Sequence, residues 1–415
     1  MSDYHPLPLS GVEPPLSEME RAVQDNVHRY AVEVMRPLGP VLDRMSAEAA
    51  IAADSPLWGV LARAADLGLS ITAMMELPAV ERARLLAIAT EELAWGDGGL
   101  AGIILCNNFP VMYSLLAGNL AMAQYSEGKL GCWGITEPDH GSDMLDATGL
   151  LMAAGGTYGR PNCIARLQDD KVIIQGQKSA WVSGAVTAQV CALFCHHQDS
   201  TGHVAPGVAV IVPLDAPGVS RGKPLDKLGF RGLNQGEIYF DNVEVPVSHL
   251  LAGPDQYPEL AYRMLCEANP HVGCCAVGLA RAAFEHAWEY AHRRRQGGVP
   301  LIQHQQVRFR LFEMFRKIEA SRALVRRVME YNATALRPSM LASTSAKVTA
   351  TQTAFEVASD ALQMFGGNGL SREYPMEKLF RDARSLLVAD GTNEVLALKG
   401  ALDLVNPDWL QEARP

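Results

Sequence analysis

The hydrophobic period of this chain changes twice, and the order of those changes limits the folds open to it. Up to about residue 130 the apolar residues recur at helical spacing. Ser17-Glu-Met-Glu20 makes a capping box, and Val23, Val27, Tyr30, Ala31 and Val34 repeat behind it. Ser55-Pro56 opens a second helix with proline in the first turn, where its missing N–H costs nothing. A third runs from about Ala79 to Trp95 and stops at Gly96-Asp97-Gly98-Gly99. From about Gly131 the pattern shortens. Lys171–Gln175, Val190–Phe194, Gly207–Pro213 and Gly236–Pro246 are β-branched runs separated by Gly, Pro and Asp, the mark of an antiparallel sheet or barrel. After Pro246 long amphipathic stretches return over roughly 257–294, 304–335 and 339–365, with a shorter one near 392–404. Four such stretches on short links predict a bundle. The expected architecture is therefore an α+β multidomain chain: an N-terminal α-helical domain over 1–129, a middle antiparallel β-barrel domain over 130–252 and a C-terminal four-helix bundle over 253–415.

A chain of 415 residues has room for two or three domains. Its formal charge of −10 argues against a nucleic-acid or anionic-membrane partner. Met1–Leu16 has no basic start and no continuous apolar core, so no signal peptide is predicted. The most apolar stretch, Gly99–Ala123, is interrupted by Asn107, Asn108 and Pro110 and is too polar to span a bilayer. A cytoplasmic protein is expected. The eight cysteines form no disulfide framework. Cys191 and Cys195 precede His196 and His197, but no second ligand pair follows at zinc-like spacing, and no metal is predicted. Gly96-x-Gly98-x-x-Ala101 is related to a dinucleotide fingerprint, yet a helix precedes it where a strand is required, so it serves as a helix stop.

Four segments carry chemistry. Gln363-Met-Phe-Gly-Gly-Asn-Gly369 is followed by Glu373-Tyr-Pro375, Arg381-Asp-Ala-Arg384 and Asp390-Gly-Thr-Asn-Glu394. Alone, its Gly-Gly-Asn-Gly is a helix C-cap. Trp133-Gly-Ile-Thr-Glu-Pro-Asp-His-Gly-Ser-Asp143 is a turn stiffened by proline and glycine, able to hold donors against a ligand edge; the plainer reading is a polar turn between domains. Gly176-Gln-Lys-Ser-Ala-Trp-Val-Ser-Gly184 reads as a strand with a core tryptophan. Tyr290-Ala-His-Arg-Arg-Arg-Gln-Gly-Gly-Val-Pro300, then His304-Gln305, closes a helix with three arginines, often merely a solvated end favoured by the dipole. In this order and spacing, spread from Gly131 to Leu398, the four segments resemble the acyl-CoA dehydrogenase family.

The resemblance implies FAD as cofactor. Trp133, Ile135, Thr136, Gly141 and Ser142 would line the flavin turn, with Ser142 near the substrate as well. In most members a tryptophan stands two residues after the lysine of the strand motif; here Trp181 stands three after Lys178. Either one residue is inserted, making Trp181 and Ser183 the flavin contacts, or Ala180 replaces the tryptophan. Arg294 aligns with an arginine that pairs with the pyrophosphate of a neighbouring subunit's cofactor, helped by Gln296, His304 and Gln305. Gly297 stands where the family has phenylalanine. Gln363, Met364, Gly366 and Gly367 would hold the adenine side, and Thr392 with Glu394 would complete the cofactor site. A homo-oligomer, dimer or tetramer, is expected.

The implied reaction removes an α-proton from an acyl-CoA thioester while the β-hydride goes to flavin N5, with electrons passed to an electron-transfer flavoprotein. Most members use a glutamate just before the Gly-Thr step; here it is Asp390, one methylene shorter, with Gly391 presenting a backbone donor to the thioester. Other members place the base on the first bundle helix, at the position of Ala268. Glu267 is its neighbour, rotated by about 100° around a helix. A third reading has Asp390 merely capping the helix that starts near Thr392. The family's CoA-gripping Asp and Arg are Cys266 and Asn269 here, which puts the acyl carrier in question. Nitroalkane-type oxidation, elimination from an acyl thioester, and a non-catalytic acyl- or partner-binding role are the alternatives on the same scaffold.

Overall fold

A computed structural model describes residues 15–145 and 160–405 of the chain. Most of Met1–Leu16 lies outside the described residues. Ser17 starts the first helix as a capping box: its hydroxyl accepts from the Glu20 N–H at 3.2 Å, and Glu20 accepts from the Ser17 N–H at 2.7 Å. Helix α1 (Glu18–Tyr30) passes through a π-turn at Ala31–Met35 into α2 (Arg36–Arg44). Pro37 and Pro40 withhold two N–H groups there, and a widened turn absorbs the missing bonds. Then follow α3 (Pro56–Ala65), α4 (Ile71–Met74), α5 (Ala79–Gly96), α6 (Gly98–Cys106), α7 (Phe109–Leu116) and α8 (Leu120–Ser126). Gly96 ends α5, and Asp97 caps α6 by accepting from the Leu100 N–H at 2.9 Å. Gly99 is required by packing: a Cβ there would lie 3.1–3.3 Å from the backbone of Phe230 and Gly232. No single helix among the described residues is long and apolar enough to cross a membrane; α6 and α7 meet at a 46° bend.

The middle region holds β1 (Gly131–Gly134), β2 (Cys163–Gln168), β3 (Lys171–Ser183), β4 (Val190–Gln198), β5 (Val204–Pro213), β6 (Val219–Arg221), β7 (Gln235–Pro246) and β8 (Leu250–Ala252). They pair in the order β6-β7-β3-β2-β4-β5-β8, with β1 also on β4. The sheet departs from a purely antiparallel one. Strands β1 and β2 both run parallel to β4, sharing one of its edges end to end. Their crossovers are long segments rather than hairpins, which short-range turn signals do not reveal.

Helix α9 (Tyr257–Arg293) leads through the β9–β10 hairpin (Arg295–Gln296, Val299–Pro300) to α10 (Gln305–Thr334), α11 (Met340–Phe365), α12 (Met376–Leu386) and α13 (Asn393–Val405). The four predicted stretches stand as α9, α10, α11 and α13, with α12 added between the last two, its apolar period masked by Glu377, Lys378, Arg381, Asp382 and Arg384. Pro270 sits inside the 37-residue α9 and cannot bond the Cys266 carbonyl. That carbonyl accepts instead from Asn332 Nδ2 at 3.0 Å and Ser343 Oγ at 3.1 Å, so the break is satisfied by α10 and α11.

Helix α5 joins the N-terminal helices to this bundle. Arg281 donates to Glu91 at 2.9 Å and Glu92 at 2.8 Å; Arg322 and Arg326 reach Glu91 at 3.1 and 3.0 Å, and His28 reaches Glu92 at 2.8 Å. Burial favours the neutral acids, but the arginines win and hold Glu92 down to about 2 and Glu91 lower still. A separate core cluster fills the space where helices and sheet meet, built on Tyr113, Trp133, Phe194, Tyr257 and Met264. The candidate site borders that cluster.

Candidate active site

The turn after β1 is set by one buried cation. Lys178 on β3 is fully buried and donates to the Ile135 carbonyl at 3.0 Å and to Glu137 Oε1 at 2.6 Å. Burial works against its charge, but the Cys163 thiol and the Glu137 carboxylate more than offset it and keep Lys178 above the usual range. Glu137 also accepts from the Asn162 N–H at 2.6 Å. Losing one partner of such a buried pair costs about 3–5 kcal/mol, so the turn has little freedom. The Thr136 carbonyl accepts from the Ser179 N–H at 2.9 Å, and the Thr136 hydroxyl has no partner among the described residues. Farther along, Ser142 Oγ accepts from the Thr392 N–H at 3.1 Å. That bond brings the two motifs together across 250 residues of sequence.

Strand β3 bulges between Lys178 and Val182. Lys178 pairs with Ile238 and Val182 with Gly236, so Ser179, Ala180 and Trp181 oppose Glu237 alone in a bulge. Trp181 is thrown outward and 60% exposed, unusual for so large an apolar ring. Gln235 Nε2 donates to the Trp181 carbonyl and to Ser183 Oγ, both at 3.0 Å.

Asp390 lies in the loop between α12 and α13 in the left-handed region, φ +50°, uncommon for a non-glycine residue. It does not cap α13; Thr392 does, its hydroxyl accepting from the Val395 N–H at 3.4 Å. Burial raises the Asp390 carboxyl above the ordinary 3.8, and the Lys347 ammonium only partly opposes this. Lys347, from α11, donates to the Gly391 carbonyl at 2.7 Å and Asn393 Oδ1 at 2.8 Å. The Gly391–Thr392 peptide is thus clamped at both ends, by Lys347 on its oxygen and Ser142 on its N–H. Tyr113, from α7, is fully buried, and its hydroxyl has no hydrogen-bond partner among the described residues. Burial, with the charges of Asp390, the Cys106 thiol and Glu267, pushes that phenol well above its usual range. The charges of both candidate bases are thus felt at the same phenol. Ala268 is buried, as are Cys266 and Asn269; Asn269 Nδ2 donates to the Leu265 carbonyl at 3.0 Å, while its Oδ1 is buried with no partner among the described residues.

The remaining predicted residues gather at one end of the bundle. Tyr290 stacks on Phe365, ring centroids 3.9 Å apart, and Asn368 donates to the Tyr290 hydroxyl at 2.9 Å. These contacts hold the end of α9 beside the glycine turn after α11. The three arginines differ. Arg293 pairs with Glu289 at 2.6 Å, Arg295 donates to the Gly298 carbonyl at 3.0 Å, and Arg294 is exposed with no partner among the described residues. His304 bonds the Gln296 carbonyl at 3.0 Å. Gln305 begins α10; Gln363, Gly366 and Gly367 are exposed, Met364 is half-buried, and Gly366 has φ +59°.

The donor set fits a flavin dinucleotide: an outward tryptophan on a bulge, a free Thr136 hydroxyl on a locked turn, and a free guanidinium beside a bare glycine turn suited to phosphates. Fold and site together define a helical–β–helical oxidoreductase with a desolvated carboxylate. Residues 132–243 match the acyl-CoA dehydrogenase middle domain and 260–401 the acyl-CoA dehydrogenase C-terminal domain. The probable acyl-CoA dehydrogenase YngJ of Bacillus subtilis is 32% identical over 66% of this chain and 68% of its own length. Cyclohexane-1-carbonyl-CoA dehydrogenase of Geobacter metallireducens is 28% identical over 94% and 98%. Butyryl-CoA dehydrogenase of Megasphaera elsdenii superposes with a TM-score of 0.81 at 26% identity, covering 95% of this chain and all of that one. The chain belongs to the acyl-CoA dehydrogenase family and is an oxidoreductase of that type.

Sequence reasoning missed Tyr113, Lys347, Lys227 and Gln235. A lysine inside the apolar face of α11 was a usable signal, since a buried lysine needs acceptors. Tyr113 gave none, because a tyrosine in an apolar helix is ordinary.

Proposed function

We propose that this protein dehydrogenates an acyl-CoA thioester between its α and β carbons, with Asp390 as the base. FAD, when bound, supplies the hydride acceptor. The observation that carries the reading is the half-buried Asp390 carboxylate, raised by desolvation, beside a Gly391–Thr392 peptide held by Lys347 and Ser142. A carboxylate raised above its ordinary range is a better acceptor for a carbon-bound proton. The Gly391 N–H, unpaired among the described residues, polarises the thioester oxygen as the α-proton leaves in this reading. Thr136, Trp181 and Ser183 orient the isoalloxazine ring. Arg294, Gln296, His304, Gln305 and the Gln363–Gly367 turn serve a second copy's cofactor; exposed Phe309 and Phe312 on α10 and Leu370 beside that turn support such an assembly. An electron-transfer flavoprotein is the acceptor.

Buried Cys266 and Asn269 favour a CoA grip unlike the Asp/Arg pair of many relatives. The test is anaerobic mixing of the yellow protein with straight-chain, branched and alicyclic acyl-CoAs, reading flavin bleaching. Bleaching by at least one thioester is expected. A protein that takes up no FAD, or whose flavin no thioester reduces, overturns the proposal.

A further inference from the structure

The loop before β7 holds an amide whose direction is forced. Lys227 Nζ donates to the Phe230 carbonyl at 3.0 Å, the Leu233 carbonyl at 2.6 Å and Gln235 Oε1 at 2.8 Å. As an ammonium, which burial pulls down to about 7, Lys227 has three protons and no acceptor, so all three are used and Gln235 turns its oxygen toward it. The other side of the amide meets the Trp181 carbonyl and Ser183 Oγ, each at 3.0 Å. A carbonyl cannot donate, so that side must be the NH2. The Trp181 carbonyl therefore fixes the amide orientation in either charge state of Lys227.

The consequence falls on Ser183. Its oxygen already accepts from Gln235, so its own proton has to be given to something else. The Ser183 hydroxyl is hydrogen-bonded to the Cys106 sulfur, a weak acceptor that a stronger one can displace. The loop itself is immobilised from two sides. Phe230 N–H donates to Asp382 at 2.7 Å, and Arg231 donates to the Asp43 and Met45 carbonyls at 2.7 and 3.0 Å.

We infer that Gln235, oriented by Lys227 and the Trp181 carbonyl, is a positioning residue that turns the Ser183 hydroxyl proton away from itself and toward the flavin ring. This rests on the reading of Ser183 as a flavin contact. A serine is short and rotates freely; without the amide it could accept from a ligand, donate back to protein or turn away. With it, one lone pair is taken and the proton cannot point at Gln235, and the same amide tethers the bulge that carries Trp181. The device acts before any substrate arrives, so it is read from flavin binding rather than turnover.

The experiment compares Gln235→Glu, Ser183→Ala and the double variant in the full-length protein. The readouts are the FAD dissociation constant and the visible band positions of bound flavin. Glutamate has the shape of glutamine but cannot donate, so Ser183 would give its proton back to the new carboxylate. Ser183→Ala should weaken FAD about fivefold, the loss of one neutral hydrogen bond of about 1 kcal/mol. Gln235→Glu should do at least as much and shift the flavin bands the same way. In the Ser183→Ala background it should add little, because the hydroxyl it steers is gone. Gln235→Leu repeats the cycle should the carboxylate disturb folding. Additive effects on affinity and spectrum would overturn the relay while leaving the Ser183 contact in place. A silent Ser183→Ala would overturn both the contact and the relay built on it.

Discussion

Asp390 is the residue on which the chemistry turns. Asp390→Asn keeps size and loses the base, so flavin reduction by an acyl-CoA should slow by about 10²-fold or more while flavin and ligand still bind. Glu267→Gln should change it far less, and stopped-flow reduction separates the two; a dead Gln variant beside an unimpaired Asn variant would hand the role to Glu267. The pH dependence follows from the direction of the shift. Burial raises the folded carboxyl above 3.8, and the base must be ionised, so kcat/KM should fall as pH drops through an inflection above that value. Arg294 offers a second test at this scale. Its neighbours are already engaged, Arg293 by Glu289 and Arg295 by the Gly298 carbonyl. Arg294→Ala should therefore weaken FAD retention about tenfold to a hundredfold, the range for a charge-assisted contact of about 1.5–3 kcal/mol. Arg293→Ala should leave it nearly unchanged. Equal losses from both would reduce the run to a solvated helix end.

Two glycines show what the elements demand of each other. Gly278 lies where α9 crosses α5, and a Cβ there would stand 2.2 Å from the Glu91 carbonyl and 2.9 Å from the Trp95 nitrogen. Backbone cannot yield as a side-chain tip can. Gly278→Ala should destabilise by about 1–3 kcal/mol or more, seen as a lower thermal midpoint. Gly59, inside α3, has nothing within 4 Å of its would-be Cβ. Gly59→Ala should leave the midpoint unchanged or raise it, by about 0.5–1 kcal/mol of helix propensity. A pair behaving alike would mean the helix crossing is looser than drawn. Sequence periodicity places both glycines on helices and cannot tell them apart, because the difference lies in a partner helix far along the chain.

Across the molecule, the buried Glu91, Glu92, Arg281, Arg322 and Arg326 group ties the N-terminal helices to the bundle. Glu92 is held down to about 2 when folded against an ordinary 4.5, and Glu91 is depressed too. The unfolded chain therefore binds more protons over that window. This stabilisation is complete above about pH 4.5 and is lost as pH falls toward 2. Chemical denaturation in a pH series should show stability dropping on the acid side. Arg281→Met, which strands part of the carboxylate pair, should cost about 3–5 kcal/mol near neutral pH and flatten that acid slope. An unchanged slope would remove these glutamates as its source.

The succession of helical, strand and helical periods lies in local side-chain order, and so do the Ser17 and Ser55 caps and the stop at Gly96. Each depends on residues within a turn or two of one another, where spacing decides burial. The motif segments were visible for the same reason, as were Asp390, Arg294 and the turn at Thr136. What the tertiary structure decided is who meets whom. The parallel seating of β1 and β2 on β4 and the Ser142–Thr392 bond join groups tens to hundreds of residues apart. So do Lys347 beneath Gly391 and the Lys227–Gln235 clamp on Ser183. Glutamine and tyrosine carry no mark of such duties, since polar groups acquire a role only when burial removes water as their alternative partner. Local pattern sets which face of each element is apolar; packing those faces together selects the few polar groups that must find one another.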